Sequence, residues 1–172
     1  MGAHTLVVGG TGMLSGLCEA LAGDGGRLSL LSRRAPGPDG FACDYHDRVS
    51  FAAALGAAIT RSGPIDLAVA WFHTLKIEAP RLLAEQVQGR LFQVLGSAAA
   101  DPAHPWRLET ARKVVENLPG CELRQVVLGF KLEPDGSRWL TNEEISGGVL
   151  EAVRADRSLT IIGQTQPWSA KP

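Results

Sequence analysis

Leu6-Val7-Val8-Gly9-Gly10-Thr11-Gly12-Met13-Leu14-Ser15-Gly16-Leu17-Cys18-Glu19-Ala20-Leu21 changes its hydrophobic period in mid-course. Leu6, Val7 and Val8 form a short apolar run, as a buried strand does, whereas Leu14, Leu17, Cys18 and Leu21 recur at helical spacing. Three glycines and a threonine stand between. Strand, glycine turn and helix in that order is the setting of a dinucleotide-binding fingerprint. Glycine lets the chain turn sharply and lets a pyrophosphate approach without a Cβ in the way, and the free N–H groups and positive end of the new helix face the anion. Gly10-x-Gly12-x-x-Ser15 carries a serine where the third glycine of the pattern packs helix against strand, and Gly16 follows one residue on. The alternative is a tight strand-to-helix turn with no ligand.

At 172 residues the chain is long enough for one domain with a proper core. Its net charge of −1, without a block of like charge, argues against a general role on nucleic acid or a membrane surface. No apolar run approaches the ~20 residues of a transmembrane helix. A secretory signal is not expected, because no basic segment is followed by a removable apolar stretch. Cys18, Cys43 and Cys121 are far apart and odd in number, which suits reduced core thiols of a cytoplasmic protein and no zinc site.

Outward from the opening stretch, residues 28–31 read as a second strand that ends in Ser32-Arg33-Arg34. In dinucleotide-binding units an acid at about this place, ~20 residues on, bonds the ribose 2′-OH of NAD, while arginine accommodates the 2′-phosphate of NADP. A hydroxyl and two arginines therefore favour NADP over NAD; a solvated basic loop is the alternative. Residues 36–40 are a loop and 41–43 a third strand. Asp44 and Tyr45 follow at the place that borders an adenine, where Asp44 either accepts from the amino group or, like Asp47, caps the next helix. That helix runs over 48–61. Residues 65–72 are a fourth strand, apolar almost throughout as in a parallel sheet covered on both faces, and Trp71-Phe72-His73 ends it.

Pro80 opens a helix containing Leu82, Leu83 and Val87, residues 91–95 are a fifth strand, and Gly96-Ser97 follows. Leu108, Ala111, Val114, Val115 and Leu118 mark a helix, and 123–128 a sixth strand. Residues 131–139 read as irregular, with a turn at Pro134-Asp135-Gly136. Thr141 and Glu144 form a capping box, and Leu140 and Ile145 a hydrophobic staple, at the start of the last helix. Residues 159–162 are a seventh strand. The alternation predicts an α/β fold: a doubly wound parallel sheet of about seven strands, order 3-2-1-4-5-6-7, a Rossmann arrangement that binds ligand outside the strand ends between strands 1 and 4.

Gly9-Gly10-Thr11-Gly12-Met13-Leu14 and the series that follows resemble the short-chain dehydrogenase/reductase superfamily, above all its atypical members with a Gly-x-x-Gly start, over nearly the whole chain. The resemblance implies a seven-stranded Rossmann fold, a nicotinamide cofactor and often dimers or tetramers. Such enzymes carry Tyr-x-x-x-Lys on the helix after the fifth strand. Here that helix reads Trp106-Arg107-Leu108-Glu109-Thr110-Ala111-Arg112-Lys113, with Lys113 at the lysine place and Glu109 at the tyrosine place. The sole tyrosine is Tyr45. The chain is also shorter than classical members. Ser97 matches the place of the family's catalytic serine; a loop hydroxyl bonded to backbone or water is the alternative.

The expected cofactor site thus comprises Gly9, Gly10, Thr11, Gly12, Met13, Leu14, Ser32, Arg33, Arg34, Asp44, Tyr45, Trp71 and His73, and the catalytic candidates are His73 and Ser97. His73 is the titratable group best placed to give a proton, or else it bonds a ribose or a neighbouring loop. Lys113 and Lys131 are candidates for a ribose or a substrate anion, and Trp71, Trp106 and Trp139 for an apolar pocket, against surface and core roles. Two functions remain open: an NADP-dependent oxidoreductase on a small carbonyl or alcohol with a non-standard proton donor, or an NADP(H)-binding sensor or partner module without chemistry. Neither nucleic acid, membrane nor metal is an expected partner, and a homo-oligomer is open.

Overall fold

A computed structural model describes residues 2–35, 37–74 and 77–172. The expected loop over 36–40 lies partly outside them, at Pro36. Seven strands lie side by side in parallel: β1 (His4–Val8), β2 (Arg27–Ser32), β3 (Gly40–Ala42), β4 (Ile65–Trp71), β5 (Val87–Leu95), β6 (Glu122–Leu128) and β9 (Leu159–Ile162). Their order is β3-β2-β1-β4-β5-β6-β9, as expected, with an added hairpin of β7 (Phe130–Glu133) and β8 (Gly136–Trp139) between the sixth strand and the last. The switch point falls between β1 and β4. Helices α1 (Ser15–Gly23) and α5 (Asn142–Ala155) cover one face; α2 (Arg48–Ser62), α3 (Ala79–Ala84) and α4 (Trp106–Lys113) cover the other.

Each face has its own core. On the α1 side, Leu17, Cys18 and Val149 pack against Val7, Val69, Phe92 and Val126; on the α2 side, Phe51, Leu55 and Leu83 pack against Leu6, Val8, Ala68 and Leu91. Adjacent residues of β1 and β5 thus serve opposite cores, which is why these strands read as continuous apolar runs. Gln93 of β5 and Gln125 of β6 reach out of the sheet toward α4. Gln93 Nε2 donates to the Ala111 carbonyl at 3.0 Å, and Gln125 Nε2 to Gln93 Oε1 at 3.0 Å.

Three sequence expectations are corrected. Val87 is not helical: it opens β5, pairs with Ile65 and is buried, so a β-branched side chain gains more in the sheet than at the end of a six-residue helix. The helix over 108–118 stops at Lys113: beyond it the Val115 N–H bonds the Arg112 carbonyl three residues back at 3.1 Å, and Asn117 adopts a left-handed conformation at φ 61°. Residues 131–139 are ordered as the hairpin, closed by a two-residue loop of Pro134 and Asp135.

The hairpin is fastened to α5 through Glu144. Its carboxylate accepts from Arg138 Nη1 and Nη2 at 2.8 and 3.0 Å, from Lys131 Nζ at 3.0 Å and from the Thr141 N–H at 2.9 Å. The Glu144 N–H in turn donates to Thr141 Oγ1, which completes the capping box. Arg138, then the Thr141 N–H and Lys131, hold the Glu144 carboxyl far below the usual carboxylate range. A depressed folded-state pKa gives stability that is complete above the ordinary carboxylate value and is lost as pH falls below it. Replacing Thr141 by alanine should cost about 0.5–2 kcal/mol in denaturant titration. Replacing Glu144 by glutamine should lower the melting temperature most near neutral pH, with the gap to the parent closing as the pH falls through and below the carboxylate range. A gap constant with pH would show that the carboxylate charge is not what fastens the hairpin.

Candidate functional site

The glycine turn sits on the carboxyl edge of the sheet, and its four central positions have different jobs. Gly9 has φ 82°, a conformation that disfavours a side chain, and its N–H donates to the Leu31 carbonyl at 3.0 Å, tying the turn to β2. Gly10 is buried, and a Cβ on it would stand 2.7 Å from Cys18 Sγ and 3.2 Å from Val7 Cγ1. Thr11 is exposed, and a Cβ at Gly12 would meet nothing within 4 Å. Gly10 therefore lets α1 close onto the strand, while Gly12 keeps open the space in front of the helix. Beneath the turn, burial pushes the Cys18 thiol up to about 11, so it is a neutral packing group whose Sγ lies 3.7 Å from the Gly10 carbonyl.

From behind, the turn is held by α5. Ser146 Oγ donates to the Met13 carbonyl at 2.8 Å, and a Cβ at Gly16 would come within 3.2 Å of Ser146 Cβ. Gly16, not Ser15, is thus the small residue of close approach, and it faces a helix rather than the strand. The first turn of α1 has neither a side-chain cap nor an acidic residue, and its Ser15 N–H donates to the Gly12 carbonyl at 3.0 Å.

In front of the turn lies a cavity of about 940 Å³ lined by Gly9, Thr11, Gly12, Met13, Ser32, Arg33, Arg34, Tyr45, Trp71 and His73. It brings together ten of the sequence-derived site residues from four separate segments. Ser32 ends β2 and is 8 % exposed, yet among the described residues its Oγ has no hydrogen-bond partner. Arg33 and Arg34 follow, both exposed and neither in an ion pair with another described residue. Among the described residues no carboxylate lines the cavity. Two guanidiniums and a hydroxyl without a hydrogen-bond partner among the described residues thus stand together on the cavity wall at the end of β2.

The other candidates stand elsewhere. Leu14 is fully buried behind the turn, and neither it nor Gly10 lines the cavity. Asp44 is exposed outside the lining, where its Oδ1 accepts from the His46 N–H at 2.9 Å; Asp47 caps α2 by accepting from the Val49 and Ser50 N–H groups. Ser97 opens a 3-10 turn (Ser97–Ala100) and is also outside the lining. Lys113 lines a separate groove of α2, α3 and α4 beside Arg48 and Arg81, Glu109 is bonded to Arg112, and Lys131 is paired with Glu144. Trp106 and Trp139 are about half exposed on other surfaces. Tyr45 packs edge-to-face on Phe72 with ring centroids 5.3 Å apart, and Trp71 packs likewise on His73 at 5.6 Å. Ser146 escaped the sequence analysis, and Gly16 stands out there only for following Ser15, since nothing local to either marks the crossing of α1 and α5.

No protein-family model matches the sequence, and no curated protein matches it. Solved structures do match the fold. A short-chain dehydrogenase/reductase family oxidoreductase from Aeromonas hydrophila is 20 % identical, with 94 % of this chain and 98 % of that one covered at a TM-score of 0.65. An NADH-dependent reductase complexed with NAD is 13 % identical, with 94 % and 95 % covered at 0.71. The 3-alpha-hydroxysteroid dehydrogenase from Pseudomonas sp. complexed with NADH is 16 % identical, with 94 % and 95 % covered at 0.64. The chain has the Rossmann-type fold of short-chain dehydrogenase/reductase structures.

The division of labour between the glycines is testable on the protein alone. Gly10→Ala should destabilise by about 1–3 kcal/mol through overpacking against Cys18, whereas Gly12→Ala should stay within about 0.5 kcal/mol of the parent. Denaturant titration of both variants checks this; equal effects would refute it.

Proposed function

We propose that this chain binds NADP(H) in the cavity and acts as an oxidoreductase on a small carbonyl or alcohol. The observation that carries the reading is Ser32: a buried hydroxyl with no hydrogen-bond partner among the described residues, on the cavity wall and immediately before two arginines with no ion pair among them. An unpartnered buried polar group is costly unless a ligand satisfies it. Ser32, Arg33 and Arg34 would hold the 2′-phosphate, Tyr45 would border the adenine, and the start of α1 with Gly12 open before it would face the pyrophosphate. The NAD(H) complexes among the structural neighbours support a nicotinamide cofactor; the choice of NADP rests on the Ser32-Arg33-Arg34 cluster and on the lack of a carboxylate among the described lining residues.

When bound, the cofactor supplies hydride transfer to or from a carbonyl carbon. The chain's contribution is positional and protic. Trp71 walls the cavity at the end of β4, and His73 beside it would give a proton to a substrate oxygen there, with the Tyr45 O–H as the other acidic donor in the lining. Binding without chemistry is the second reading, favoured by the positions of Ser97, Glu109 and Lys113 outside the cavity. No helix among the described residues is long and apolar enough to cross a membrane, and the three cysteines are free thiols, which fits a reducing compartment.

Each lost charge-assisted contact is worth about 1.5–3 kcal/mol, a tenfold or larger change in affinity. Calorimetric titration should therefore show the Arg33→Ala, Arg34→Ala double variant losing NADPH affinity far more than NADH affinity. Equal losses, or a parent that prefers NADH, would defeat the assignment. Gly12→Val should fold normally and lose NADPH, because its side chain fills the approach to the helix start. With a panel of aldehydes and ketones, His73→Ala should slow single-turnover NADPH oxidation by about 10²–10⁴-fold at unchanged NADPH affinity. A parent that turns over no panel member would favour binding without chemistry.

A further inference from the structure

Tyr45 and Trp71 are the two large aromatic residues of the cavity wall. Tyr45 follows β3 and packs edge-to-face on Phe72. Trp71 ends β4, which lies between β1 and β5. Its half-buried indole bridges two turns of the sheet edge. A Cβ at Gly9, after β1, would lie 3.5 Å from Trp71 Cβ and 3.6 Å from Cδ1; a Cβ at Gly96, after β5, would lie 3.5 Å from Cη2. The ring thus spans the ends of three adjacent strands, with a glycine at each of these two margins, and Trp71 lines the cavity. Of the ten lining residues, Trp71 is the large aromatic one at the end of β4, and the His73 ring packs against it with the ring planes at 78°.

A dinucleotide whose phosphate-bearing ribose is held at Ser32 and Arg33, and whose pyrophosphate faces the start of α1, has its second base directed toward β4 and β5. Resting on the cofactor reading above, we propose that Trp71 is the platform against which the nicotinamide stacks, and that its electron-rich face makes this chain hold the oxidised cofactor in preference to the reduced one. The chemistry lies in the charge of the ring. Oxidised nicotinamide is a pyridinium cation and is drawn to the negative face of an indole, whereas the neutral dihydro ring keeps only the packing contact. No titratable group and no other lining residue is required for this discrimination. The consequence is a site that follows the ratio of oxidised to reduced cofactor, whether or not it also turns over a substrate.

The test is calorimetric titration of the parent, Trp71→Phe and Trp71→Leu with NADP⁺, NADPH and 2′,5′-ADP, together with absorption spectra of the NADP⁺ complexes. The parent should prefer NADP⁺ and show a broad charge-transfer shoulder to the red of the separate indole and pyridinium bands. Trp71→Leu should lose roughly three- to thirtyfold in NADP⁺ affinity, lose less for NADPH, and lose the shoulder. Trp71→Phe should fall between, and 2′,5′-ADP, which lacks the nicotinamide, should bind all three alike. An unchanged NADP⁺ to NADPH ratio in Trp71→Leu, or tighter NADP⁺ binding there, overturns the proposal, the latter because the indole would then obstruct the base. If Trp71→Leu does not fold, the shoulder in the parent decides: its absence with bound NADP⁺ is equally fatal. Failure of 2′,5′-ADP to bind the parent would instead sink the NADP(H) assignment itself, and this inference with it.

Discussion

The close approach of α1 to β1 at Gly10 is the contact on which the rest depends. A 2.7 Å separation between a would-be Cβ and the Cys18 sulfur leaves no room for any side chain, so the helix can start as near the sheet as it does only with glycine there. That proximity points the uncapped first turn of α1 over the carboxyl edge, beside the ends of β2 and β4. The same contact leaves the turn with few bonds of its own, and the structure supplies them from outside: the Leu31 carbonyl on one side and Ser146 on the other. A loop that must expose N–H groups to a ligand cannot also bury them, so its rigidity has to come from neighbours.

The electrostatics of the cavity follow from this placement. Surface charges on this chain are mostly paired, as in Arg112 with Glu109 and Arg124 with Asp156. Arg33 and Arg34 have no ion pair among the described residues, as is also true of Arg154 and Arg157, but they stand next to a buried hydroxyl that has no described hydrogen-bond partner. Unpaired cations on a surface are ordinary, but an orphaned buried hydroxyl beside them is not, because desolvating it without compensation costs free energy. Guanidiniums and a hydroxyl gather at the end of β2, and Trp71 stands at the end of β4 on the same cavity wall.

The strand order and the glycine turn were legible because they are local and periodic. Parallel strands covered on both faces write continuous apolar runs, and the Thr141–Glu144 capping box and the Pro134-Asp135-Gly136 turn are complete within a few residues. What escaped depends on contacts between distant segments. Val87 carries a helical spacing, but its pairing with Ile65 in the sheet prevails. The hairpin is polar and largely exposed, held by Arg138 and Glu144 rather than by alternating apolar residues, so it left no period to read. Ser146 reaches Met13 across 133 positions of sequence. Likewise, the three glycines of the turn look equivalent in sequence, and only packing separates Gly10, which is filled, from Gly12, which is open.

The central claim is that the cavity before the glycine turn is a dinucleotide site with the phosphate-bearing ribose at the end of β2. Its most direct test is amide NMR on the isotope-labelled protein titrated with NADPH. The account predicts saturable shifts concentrated at Gly9, Thr11, Gly12 and the first residues of α1, and at Ser32, Arg33 and Arg34, with the Ser32–Arg34 group responding less to NADH. Shifts centred on the groove between α2, α3 and α4, or no saturable shift at the turn, would contradict it.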